Sequence, residues 1–349
     1  MRISVLGAGN GGYAAASDLA LRGFQVTLYE GYDVSRLKPI QEQGGIQMTG
    51  PYKEEFVKIK DMTTDPKQAS ENADVFLVAV PAFGQRWLAE AFAKHLRKGQ
   101  LWLMTPGSAG SLELHNSVFT SMLKKGILLA ETNILPYGCR ITKPGTIWTR
   151  PYKVLLISGF PSTSTDTVLE EIGDIYSFKR AKNVLESALT FTNPIIHSIP
   201  GLLNTGPCEL NKPEFVFYED SMTSQVLRCM DAVDQERQKV CRALDFDSRS
   251  MDDLYREFHV AGPVYRSRGK GLPGGMLDRY ITEDVPYGLV LWASLGDLAR
   301  IETLLIDSFI RIGSTVRNTD FMANGRNLKR LGIEGFSKER LLTYLQNAS

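Results

Sequence analysis

The sequence predicts an α/β chain: a doubly wound parallel sheet with helices on both faces, followed by a second, mostly α-helical domain. Three observations carry this reading. A glycine-rich turn joins the first strand to the first helix. Apolar strand runs then alternate with helical patterns as far as about residue 180, and beyond Asn183 the texture changes to long amphipathic segments with few strand runs. At 349 residues the chain exceeds what one hydrophobic core usually supports. The expectation is therefore a first domain over 1–180 and a second over 181–349.

The first thirty residues set the pattern. Arg2-Ile3-Ser4-Val5-Leu6 is a short apolar, β-branched strand that runs into Gly7-Ala8-Gly9-Asn10-Gly11-Gly12, the G-x-G-x-x-G spacing. In such a turn the first glycine permits the tight reversal, the second lets amides approach a pyrophosphate, and the third allows close helix packing. The helix that follows should run to about Leu21 and stop at Gly23, with its amides and dipole directed at phosphate. Phe24 to Tyr29 is the next strand. Glu30 stands at its end, where a carboxylate accepts a ribose 2′-hydroxyl and repels a 2′-phosphate. The spacing thus predicts a Rossmann dinucleotide fold that takes NAD. NADP stays open through Arg36, which could reach a phosphate.

Composition excludes several classes. Apolar content of 43% and charged content of 23% are those of an ordinary globule, and a net charge of +1 gives no electrostatic footing for nucleic acid or an anionic membrane. No apolar run reaches bilayer length, and the chain starts a strand at once, so a cytoplasmic protein is expected. Cys139, Cys208, Cys229 and Cys241 lack any C-x-x-C pairing, which predicts buried thiols and no metal site.

The remaining elements of the first domain follow in order. Val34 to Gln43 predicts a helix ended by Gly44-Gly45, and Ile46 to Ile59 reads as hairpin or irregular strand. Asp74 to Val80 is a buried strand, so Val80 and Pro81 should border the cofactor crevice at its carboxyl end. Trp87 to Leu96 predicts a helix with His95 at the surface. Gln100 to Met104 is a strand, and its small-residue turn Gly107-Ser108-Ala109-Gly110 could border the nicotinamide. His115 reads as structural. Ile127 to Asn133 ends in Thr132 and Asn133, which are candidates either to line the site or to cap a turn. Lys153 to Ser158 should close the sheet under a helix over Thr165 to Tyr176.

In the second domain the predicted helices are Leu185 to Leu203, Met222 to Leu244, Ser250 to Phe258, Gly288 to Val316 and Lys338 to Gln346. Two segments stand out. Thr192 to Asn204 sets His197 among apolar residues between Pro194 and Pro200, which predicts a kinked helix or tight bend. Taken alone, such a histidine is more often a satisfied core residue than a catalyst. Leu277 to Gly288 gathers Arg279, Tyr280, Glu283 and Asp284 ahead of Pro286, where the acids could equally be helix caps. Gly262 to Gly275 reads as a flexible loop able to close over a ligand.

Together these segments resemble the opine dehydrogenases, the octopine and nopaline dehydrogenase family, over nearly the whole chain. The likeness rests on Gly7 to Gly12, Val80-Pro81-Ala82, Pro106-Gly107, Asn193 to Asn204, and Arg279 to Leu289, and its bacterial N-(1-carboxyethyl)-amino-acid dehydrogenase branch is the nearest match. The resemblance implies a catalytic pair, His197 and Asp284, and reductive condensation of an amino acid with an α-keto acid such as pyruvate at the expense of reduced nicotinamide. Arg279 is the candidate grip on a substrate carboxylate, with Arg228, Arg266 and Arg268 as competitors. Cofactor contacts are expected from Gly7, Gly9, Asn10, Gly11, Gly12, Glu30, Arg36, Val80 and Pro81. Tyr218, Glu219 and Trp292 are candidates to line the amino-acid pocket. Partners are then small molecules, and assembly into a homodimer is compatible with the chain.

Two other readings keep the fold. Ketopantoate or hydroxyacid reductases also join a dinucleotide domain to a helical one, but they usually rely on a lysine, and none here occupies a comparable strand-end setting. A non-catalytic dinucleotide-binding protein would not need both the histidine and its acid.

Overall fold

The computed structural model describes residues 1–119, 126–152, 154–173, 175–210, 214–259 and 277–348. Lys153, Arg266, Arg268 and the segment from Gly262 to Gly275 lie outside them. The chain divides into two compact units, residues 1–187 with 345–349, and residues 188–344.

The first unit is built on an eight-stranded sheet. Its strands are β1 (Arg2–Leu6), β2 (Gln25–Tyr29), β5 (Asp61–Thr63), β6 (Val75–Val78), β7 (Leu101–Met104), β8 (Leu128–Thr132), β11 (Leu155–Gly159) and β12 (Phe178–Arg180). They lie in the order β12-β11-β8-β7-β6-β1-β2-β5, which puts β1 inside the sheet between β6 and β2. All neighbours are parallel except β11, which runs antiparallel to β8. The apolar runs at β6 and β7 are buried throughout, as strands covered on both faces must be.

Helix α1 (Asn10–Leu21) is covered on every side, with Gly11 to Leu19 all buried. A second sheet covers its other side, in the order β4-β3-β10-β9, from β3 (Gly45–Thr49), β4 (Glu55–Lys58), β9 (Tyr137–Lys143) and β10 (Thr146–Pro151). Strand β9 has no signature in the sequence, because its residues are mostly half-exposed and carry no clean alternation. The seam between this sheet and α1 holds a cleft of about 610 Å³. Its polar floor is internally satisfied: the Tyr137 hydroxyl donates to Asp18 at 2.7 Å and lies 2.9 Å from that of Tyr176.

In the second unit the long helix α2 (Ser224–Ala243) is central. Its fully buried Arg237 donates to Asp234 Oδ1 at 2.8 Å, Leu189 O at 3.0 Å and Arg249 O at 2.7 Å, so the buried cation is paired and bonded. The long helix expected from Gly288 to Val316 is broken. Helix α4 (Val290–Ala299) stops at Arg300, a left-handed residue at φ 58°, and α5 (Leu304–Val316) restarts with its Leu305 and Ile306 amides donating to Glu236. Helix α3 (Leu277–Thr282) lies between α2 and α4 in sequence and leads into the acidic segment. No helix among the described residues is long and apolar enough to cross a membrane.

Candidate functional site

The glycine turn is shaped by close approach. Gly7 has φ 105°, a region that favours glycine, and a Cβ there would stand 2.7 Å from Val80 Cγ1. A Cβ on Gly12 would fall 1.6 Å from the Gly7 carbonyl oxygen, so α1 can pack against the turn only without one. Gly9 precedes the first residue of α1 in extended conformation, with no side chain capping the helix. The α1 amides are left to a ligand in this way. Val80 and Pro81 sit beside the turn at the end of β6, where the Ala79 amide donates to Leu6 O at 3.0 Å. Asn10 faces away from that duty, its Oδ1 accepting the Ile141 amide at 2.8 Å.

Glu30 is 6% exposed, and its carboxylate already accepts three amides: Ala8 at 2.8 Å, Tyr32 at 2.9 Å and Asp33 at 3.1 Å. Oε2 carries only one of these, which leaves it a lone-pair direction for a hydroxyl. The acid therefore also fixes the glycine turn to the end of β2. Arg36 is half-exposed and pairs with Asp33 at 3.0 Å, with its Nη1 3.4 Å from where a Gly9 Cβ would be. Next to this group the exposed rings of Tyr32 and Trp87 meet edge to face with centroids 6.2 Å apart, a pair with no signal in the sequence because one stands in a loop and the other on a helix.

A second anion nest is already filled. The turn from Gly107 to Ser111 directs the Ala109 amide (2.8 Å) and the Ser111 amide (2.9 Å) and hydroxyl (2.5 Å) onto Glu131, a fully buried carboxylate at the end of β8. Those amides serve the fold, so this turn offers no phosphate cradle. Next to Glu131, the Thr132 hydroxyl donates to Ile134 O at 2.8 Å, and Asn133 Oδ1 accepts the Leu156 amide at 2.9 Å. Both residues are fully buried. Asn133 Nδ2 has no hydrogen-bond partner among the described residues.

In the second unit two π-helical turns face one another. Pro194–Ser198 carries His197, and Val285–Leu289 begins just after Asp284. Each starts with or near a proline, which cannot donate to the preceding turn, and wide turns of this kind recur at functional sites. Gly288 lets the turns touch, since a Cβ on it would lie 2.2 Å from Pro194 Cγ. The result is a hydrogen bond of 2.9 Å between His197 Nδ1 and Asp284 Oδ2. The Asp284 side chain is 8% exposed and the His197 side chain 16%. Burial pushes the Asp284 carboxyl above its ordinary range, and the adjacent imidazole works against that shift.

Arg279 lies one turn before Asp284 on α3 and donates from Nε to Glu283 Oε2 at 2.5 Å. Nearly half its side chain is exposed. Tyr280 stacks on the His197 ring with centroids 4.0 Å apart and planes 14° from parallel, and Tyr218 stands 6.3 Å away on a tilted plane. Trp292, a candidate for the pocket, is fully buried core instead, because α4 is apolar on every side. Arg228 is exposed on α2. His115 packs on Phe160 at 5.0 Å as a buried structural residue whose ionisation burial disfavours. No group of three or more metal-ligating side chains is gathered among the described residues.

The chain is similar to known proteins in sequence and in fold. Residues 180–317 match the family described as NAD/NADP octopine/nopaline dehydrogenase, alpha-helical domain. The chain is 32% identical over 345 residues to an opine dehydrogenase from Arthrobacter sp. (strain 1C), covering 96% of each. It is 25% identical over 368 residues to the protein ocs of Agrobacterium tumefaciens (strain Ach5), covering 99% of each. In fold it is similar to an octopine dehydrogenase solved with NADH and agmatine, at 19% identity, a TM-score of 0.74 and 98% coverage of both chains. A ketopantoate reductase from Ralstonia eutropha JMP134 follows at a TM-score of 0.64 and 17% identity, covering 93% of this chain and 99% of that one.

Proposed function

The chain belongs to the opine dehydrogenase family, an NAD(P)-dependent oxidoreductase family, and from that premise we propose that it joins the α-amine of an L-amino acid to an α-keto acid, pyruvate first among them. The observation that carries this reading is the buried His197–Asp284 pair. Asp284 accepts the Nδ1 proton, which fixes the tautomer and directs Nε2 at substrate. As the amine adds to the keto carbon, protonated His197 gives its proton to the keto oxygen, regains one from the nitrogen of the adduct, and gives it again as the hydroxyl leaves as water, so that the nitrogen keeps one proton as the iminium. In reverse the imidazole makes the same transfers the other way. A reduced nicotinamide, when bound, would supply the hydride that saturates that carbon.

Arg279 suits a carboxylate grip: its Nε is held by Glu283, which leaves the Nη edge to make paired hydrogen bonds. Thr132 and Asn133 are further candidates for substrate contact: both are buried at the end of β8, and the Asn133 amide nitrogen is a donor with no partner among the described residues. The glycine turn fits a dinucleotide, with Glu30 Oε2 taking a ribose hydroxyl and thereby favouring NADH, and Arg36 set above Gly9 as the group that would tolerate NADPH. The exposed pair Tyr32 and Trp87 near Glu30 supplies a face for adenine. The substrates are small molecules of the cytoplasm. A grid of amino acids against keto acids, followed by NADH absorbance and repeated with NADPH, tests the proposal. Oxidation should require both substrates and run faster with NADH, and a grid in which no amino acid accelerates oxidation would leave only the ketopantoate-type reading that the fold also allows.

A further inference from the structure

We infer that Tyr280 is a positioning residue whose ring face fixes the plane of the His197 imidazole. The inference rests on the proposed role of His197 and deepens it. Two rings stacked face on face restrict one another's rotation. Tyr280 presents its face in near-parallel contact, 4.0 Å between centroids and 14° between planes. Asp284 holds the imidazole by one edge at Nδ1, and Tyr280 by one face. Nε2 makes no hydrogen bond among the described residues, so the restraints converge on the atom that would meet substrate.

The tyrosine is itself held. It is 6% exposed, Phe217 packs against it at 5.0 Å, and its hydroxyl lies 3.4 Å from that of Tyr218. Several charged groups on the elements packed against the His197 turn are paired: Arg279 with Glu283, Asp278 with Arg317, and the buried Asp234 and Arg237 of α2 with each other, while the short helix Ile199–Leu203 carries no ionisable side chain. Arg228 and Asp231 also lie on α2, nearer its start. Among the described residues Tyr280 is the ring stacked on the imidazole, and Tyr218 stands farther off at 6.3 Å.

The test is steady-state kinetics of the reductive reaction in the full-length protein, with NADH binding read by fluorescence. Tyr280→Leu should lower kcat about three- to tenfold with KM and NADH affinity little changed, and Tyr280→Phe, which keeps the ring face, should restore most of the loss. If the leucine variant fails to fold, Tyr280→Met, which fills the space without a ring face, takes its place. Equal kcat in the aliphatic and aromatic variants overturns the inference, as does a loss in Tyr280→Leu that Tyr280→Phe fails to restore. Full turnover in His197→Asn would instead overturn the role of His197 on which the inference rests.

Discussion

A histidine among apolar residues is usually core, and what separates His197 from that case is the company of two side chains. Asp284 reaches it by one edge and Tyr280 by one face. In the proposed reaction the imidazole handles the proton, so His197→Asn should lower kcat by two to four powers of ten and leave NADH binding, read by fluorescence, unchanged. Asp284→Asn should cost about three to four powers of ten in kcat, because an amide selects the wrong tautomer. Its stability should move the other way. Burial raises the Asp284 carboxyl, so the folded chain holds that proton more tightly than the unfolded one. The stabilising contribution is therefore present below the ordinary carboxyl range and lost as pH rises through the raised value. At neutral pH the uncharged variant should melt no lower than the parent in calorimetry, and a clear loss there would show that the pair was stabilising after all.

At the scale of elements, the acid and the imidazole meet because two proline-started π turns touch at a residue without a side chain. Gly288→Ala puts a Cβ into Pro194, so it should separate the turns and lower kcat at least tenfold with NADH affinity unchanged. Equal loss of NADH binding would point to wholesale unfolding instead. The glycine turn, the first helix and the parallel strands were legible in the sequence because each rests on a local rule: spacing, a helix stop, a continuous apolar run. The proline-flanked bend around His197 was legible as a bend, and its acid through the family motif. What was not legible depends on distant partners. The second sheet pairs β3 with β10 across some hundred residues of chain. The Tyr280 stack needs the two turns to be docked first, and the break at Arg300 depends on Glu236 capping the next helix from α2.

For the molecule as a whole, buried polar groups are the points where conditions act. His115 is held neutral by burial against Phe160, so its contribution to stability is complete above its ordinary value near pH 6.5 and is lost as pH falls below it, where the unfolded chain takes up a proton first. Denaturant midpoints should fall between pH 7 and pH 5, and His115→Phe should flatten that slope. The bond that is made separates an opine dehydrogenase from a plain keto-acid reductase, and the fate of the hydride reports it. Incubating the protein with 4-deuterated NADH, pyruvate and an amino acid, then analysing products by mass spectrometry, should put the deuterium on the former keto carbon of an N-(carboxyethyl) amino acid. Deuterium found in lactate instead, at a rate indifferent to the amino acid, would contradict the account.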